Sequence, residues 1–146
     1  MITLPHAILS ALRANARASR LHEQRDERFD PFPVVKFFNP VGAATWIATE
    51  LYDDGDTLFG LADLGFGCPE MGVFSLTEIA GVRLPFGLFI ERDEHFEPLA
   101  PLSLWSDTAR RMGAIVLAEA ELRRIECRSR PSSKTNGTGA PEGADQ

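Results

Sequence analysis

The sequence predicts a small α+β domain, a mainly antiparallel sheet packed with N-terminal and C-terminal helices. Three observations carry that prediction. Apolar residues recur at helical spacing near the two ends of the chain, in "TLPHAILSALRANARASR" and from Leu102 onward. Between them lie short runs of branched and aromatic residues punctuated by Gly, Pro and Asp. One of those punctuations, Asp54-Gly55, is a hairpin-type pair that returns the next run antiparallel. The 146 residues fit one domain with room for a core that needs no staples, expected over 1–128. A disordered tail is expected over 129–146, where "SRPSSKTNGTGAPEGADQ" has no hydrophobic content to order it.

In the first helix Thr3 is the expected cap, Pro5 suits the first turn, and Ile8, Leu9 and Leu12 give the apolar spacing. Pro31 and Pro33 make the following connection extended. "VVKFF" (34–38) and "TWIATEL" (45–51) are strands joined through "NPVGA", and "TLFGLADL" pairs back after "YDDGD". A short strand is expected around "GVFS". In "SLTE", Glu78 lies three residues beyond Ser75, the spacing of a capping box, so a short helix covers Leu76 to Ala80 and ends at Gly81. "PFGLFIERDEHF" begins apolar and turns polar, as a strand running from core to rim would. The last helix is expected from about Leu102 to Cys127, capped by Ser103, with Trp105, Ala109, Met112 and Val116 on one stripe and Gly113 as its weak point.

The formal net charge is −6, unevenly placed. Ala44 to Glu97 holds eleven acids and two arginines, a field that repels phosphate and favours a cation or a basic partner. The arginines near the C-terminus are diluted by Glu119, Glu121 and Glu126, and no base-reading motif accompanies them, so direct nucleic-acid binding is not expected. Cys68 and Cys127 do not form a secretory disulfide framework. There is no leader and no run of membrane-spanning length, so a cytoplasmic protein without membrane contact is expected.

Two places draw chemical attention. On a strand, Glu91, Asp93, His95 and Glu97 would share a face, and three carboxylates with an imidazole suit a hard divalent metal or zinc. Glu91, Asp93 and His95 are thus candidate metal ligands, with Glu91 or His95 as general base. The same alternation equally describes the solvent side of a strand, which is the preferred reading. The second place is "DLGFGCPEMG" (63–72). Asp63 and Glu70 could meet across its glycine turn, and mutual repulsion would then suit acid–base work. The preferred alternative is that Asp63 accepts backbone amides of the turn. The acidic setting disfavours a Cys68 thiolate. "NPVGAATW" is a more neutral pocket floor, where Asn39 stabilises the turn and Trp46 could underlie a ligand. Catalytic candidates are therefore Asp63, Glu70, Glu91 and His95. The binding set is Asn39, Trp46, Asp63, Glu70, Arg92 and Asp93.

The phrases "KFFNPVGAATWIATEL", "DGDTLFGLADLGFGCPEMGVFSLTEI" and "LPFGLFIERDEHFEP" together resemble the bacterial family designated domain of unknown function 2958. The resemblance runs from about Val34 to Ala109 and includes Asn39, Trp46, Glu50, Asp63, Glu70, Arg92, Asp93 and His95. It implies a setting on plasmids and other mobile elements, near antirestriction or conjugation genes, and assigns no chemistry to any residue. The first functional expectation is an acidic accessory protein that meets a basic protein partner. The alternative is a metal-dependent enzyme, a hydrolase for example, built on the carboxylates and His95. No cofactor other than a divalent metal is expected.

Overall fold

The computed structural model describes residues 2–130. Helix α1 spans His6–Gln24, followed by strands β1 (Val35–Phe38), β2 (Thr45–Leu51), β3 (Thr57–Asp63) and β4 (Glu70–Ser75). Helix α2 (Leu76–Ala80), a two-residue strand β5 (Glu91–Arg92) and helices α3 (Leu102–Met112) and α4 (Ile115–Ser129) complete it. The sheet is antiparallel, in the order β4-β3-β2-β1-β5. The α+β expectation holds. The expected tail lies outside the described residues except for Ser129, still within α4, and Arg130.

Helices cover both faces of this sheet. Trp46 and Ala48 of β2 join Val35, Phe37, Leu58 and Leu12 of α1 in one apolar layer. Ile47, between them, points the other way and joins Leu61 and the α3–α4 residues Trp105, Ala109, Ile115, Ala118 and Leu122. All seven residues of β2 are consequently buried. A strand apolar on both sides must be covered on both sides.

Two expectations about the ends of elements change. Thr3 does not cap α1. Pro5 stands at the boundary, and its carbonyl accepts the amides of Ile8 and Leu9 at 3.0 and 3.1 Å. Nor does Ser103 cap α3 from within. Asp30, far back in the chain, accepts the Ser103 amide at 3.0 Å and its hydroxyl, while the Pro31 carbonyl accepts the Leu102 amide at 2.9 Å. The extended connection after α1 thus supplies the amide partners at the start of α3. The α2 cap is as read, with the Ser75 hydroxyl accepting the Glu78 amide at 3.1 Å. Asp56 reinforces it by accepting the Ser75 hydroxyl at 2.6 Å and the Thr77 amide at 2.7 Å.

The long final helix is broken. Gly113 adopts φ 86°, a left-handed turn that ends α3, and α4 sets off in a new direction. The anticipated stripe ends there too: Trp105 and Ala109 are buried, whereas Val116 is exposed. The expected strand through "PFGLFIERDEHF" shrinks to Glu91–Arg92. Before it, Phe86 and Gly87 take φ values of 65° and 71° and fold the chain into a tight turn. After it, Asp93 Oδ1 accepts the His95 amide at 2.9 Å and the chain turns again.

Candidate functional site

Those two turns shape an open groove of about 780 Å³ at the β5 end of the sheet. Phe38, Leu88, Phe89 and Ile90 supply its apolar side, and Glu91, Arg92, Asp93, Glu94 and His95 its polar side. Glu91 pairs with Phe38 across β1 and shares its face. Phe86, beside the groove, is 92% exposed, and Leu88 and Phe89 are exposed as well. β5 is the last strand on this side among the described residues and borders the groove, which Ile2 and Thr3 ahead of α1 also line. Behind it, Trp105 anchors the exit of the loop by donating from Nε1 to the Pro98 carbonyl at 2.6 Å, and its ring lies 5.9 Å from that of Phe96.

The metal reading of Glu91, Asp93 and His95 is overturned. Among the described residues no group of three or more His, Cys, Asp or Glu side chains could hold a metal ion. The cause is local. Asp93 is drawn to Lys36, whose Nζ lies 3.5 Å from Asp93 Oδ2 and 2.7 Å from Glu119 Oε2 of α4. The turn at Asp93 breaks the alternation that would have brought His95 and Glu97 alongside. Arg92 instead approaches Glu94, 3.8 Å away.

Asp63 and Glu70 project to opposite faces. Glu70 stands opposite Ala62, which packs on the α1 layer, and is exposed. Asp63, one residue on, turns to the other face and is buried. Its Oδ1 accepts the Gly65 amide at 2.9 Å and its Oδ2 the Ile115 amide at 3.0 Å. It therefore binds the glycine turn to the first residue of α4. Asn39 is occupied in the same manner: its Oδ1 accepts the Val41 amide at 2.9 Å. Trp46 sits in the α1 layer. Cys68 and Cys127 are free and exposed.

Sequence reasoning missed Glu50 as a site residue. Opposite Ala48, Gly60 lies so close to β2 that a Cβ there would stand 1.9 Å from the Ile47 carbonyl oxygen. Immediately beyond, the β2–β3 register shifts between Ala48 and Glu50. Such a bulge redirects side chains. Here Glu50 is only 6% exposed and lines a cavity of about 280 Å³ with Ser19, Phe29, Tyr52, Phe59 and Met71. Burial pushes its carboxyl above the usual range, against the opposing effects of the Ser19 hydroxyl and the Arg20 guanidinium. Burial likewise raises the Tyr52 phenol, aided by Glu50 and Glu23. The signal available in sequence was an acid inside an otherwise uncharged strand.

The acids of the central region do not form one face. Asp53 is paired with Arg20 at 2.8 Å, Asp54 caps its own turn, Asp56 is taken by the start of α2, and Asp63 and Glu50 are buried. Near the C-terminus, Arg123, Arg124 and Arg130 pair with Glu119, Glu121 and Glu126 along α4. No helix among the described residues is long and apolar enough to cross a membrane.

No curated protein and no solved structure matches the chain. The family described as Protein of unknown function (DUF2958) matches residues 3–116, from the approach to α1 to the first turn of α4. The chain belongs to that family.

Proposed function

We propose that the protein is a cytoplasmic protein-interaction module that receives a basic, amphipathic, extended segment of a partner in the groove beside β5. One observation carries this reading: an edge strand borders a groove with an apolar bank and a mainly acidic rim. An edge strand offers backbone hydrogen bonds to an added strand, and alternating side chains then find the two banks. Phe86, Leu88 and Phe89 are apolar surface of the kind that marks such contacts. Lys36 pairs with Asp93 and Arg92 approaches Glu94, which leaves Glu91 as the rim acid most available to lysine or arginine, with the largely exposed Glu94 beside it. In the mobile-element setting that the family resemblance implies, a basic protein of a defence or transfer system is the fitting partner.

A fluorescent peptide of alternating Lys/Arg and apolar residues tests the reading by anisotropy. Binding should weaken roughly ten-fold or more in a Glu91→Lys/Glu94→Lys double variant and fall with added salt. Equal binding of an acidic peptide of the same apolar pattern, or indifference to the charge reversal, contradicts it.

A further inference from the structure

We infer that the cavity at the β2 bulge is a binding site for a small organic cation, an amine or guanidinium group held by Glu50 among aromatic walls. This site shares no lining residue with the β5 groove, so it stands or falls separately. Three features carry the inference. The bulge and the close approach at Gly60 set a nearly buried carboxylate in the wall of a cavity whose lining combines aromatic side chains with Ser19, Thr49 and Asp30. The walls are Phe29, Tyr52 and Phe59 with the Met71 thioether, and no lysine or arginine lines the cavity. A carboxylate with aromatic faces is the arrangement that attracts a desolvated cation.

The charged groups around the site have partners of their own. Arg20, on α1, also acts on Glu50 but is bonded to Asp53 at 2.8 Å. Asp30, on the opposite wall, is taken by the start of α3. Glu23 of α1 acts on the neighbouring Tyr52. Glu50 thus has the Ser19 hydroxyl and the field of an Arg20 that is itself bonded to Asp53, while burial holds its proton affinity up. A volume near 280 Å³ lies at the small end of ligand sites, so it admits one compact cationic head with a short apolar stem.

Benzylamine and its neutral counterpart benzyl alcohol are the probes, titrated into ¹⁵N-labelled full-length protein. The amine should saturate with shifts at Ser19, Glu50, Tyr52 and Phe59 and bind about ten-fold more tightly than the alcohol. Glu50→Gln, whose fold is checked by its thermal transition, should abolish that preference. Phe59→Leu keeps the carboxylate and should weaken the amine roughly two- to five-fold. N-acetyl-lysine methylamide distinguishes the source: tighter binding than benzylamine assigns the cation to a peptide side chain, weaker binding to a free amine. Equal affinity for amine and alcohol, shifts outside the cavity, or an unchanged preference in Glu50→Gln overturns the proposal.

Discussion

Among individual residues, the acids of this chain fall into two groups with opposite pH behaviour. Glu50 has a raised proton affinity in the folded state because burial disfavours its charge. A carboxyl raised on folding favours the fold below its unfolded value, and that advantage is lost as pH rises through its folded value. Glu50→Gln should therefore be more stable than the parent at pH 7.5, with the gap closing toward pH 4.5, as read by urea denaturation at both pH values. Asp53, Asp54 and Asp56 run the other way. The Arg20 guanidinium holds Asp53 low, and hydrogen bonds from Thr57 and Ser75 do the same for Asp54 and Asp56. Their contribution is present above the ordinary carboxylate range and lost as pH falls below about 4. Asp63 is a structural acid. Asp63→Ala leaves the Gly65 and Ile115 amides without their acceptor, and chemical denaturation should show a loss of roughly 2–4 kcal/mol. The sequence reading anticipated the turn amide. It had no means to see Ile115, because that contact spans 52 residues and exists only after α4 has docked.

Legibility at the level of elements followed the range of the forces that set each boundary. "TWIATEL" and "SLTE" were readable because branched-residue patterning and a three-residue capping spacing are local. "PFGLFIERDEHF" was not, because positive φ at Phe86, a non-glycine, belongs to a turn closed by the Leu84 amide on the Leu88 carbonyl and is not announced by residue type. The Asp30 cap of α3 lay equally out of reach, 73 residues from its partner. The β2–β3 pair depends on a close approach that only glycine permits. Gly60→Ala would drive a Cβ into the Ile47 carbonyl, so a loss above about 3 kcal/mol, or failure to fold, should appear in thermal unfolding. If Gly60→Ala instead unfolds at the parent temperature, the register assigned to this pair is wrong.

For the molecule as a whole, helices on both faces leave the sheet open only at its two ends, β4 and β5. The two ends differ in chemistry. The β4 end carries exposed Met71 and Val73 and contributes Met71 to the small Glu50 cavity, whereas β5 borders the larger open groove. Composition showed that the central region is acidic, but only the fold separates acids spent on capping and pairing from those left on a rim. The distinction makes β5, rather than the surface at large, the place where the proposed basic partner would be received. The most direct test is a backbone amide map of the ¹⁵N-labelled protein during titration with the basic amphipathic peptide. Saturable shifts concentrated at Leu88 to His95, with slowed hydrogen exchange at Glu91 and Arg92, are the expected result. Shifts confined to the β4 edge, or spread over the surface with no site that saturates, would contradict the account.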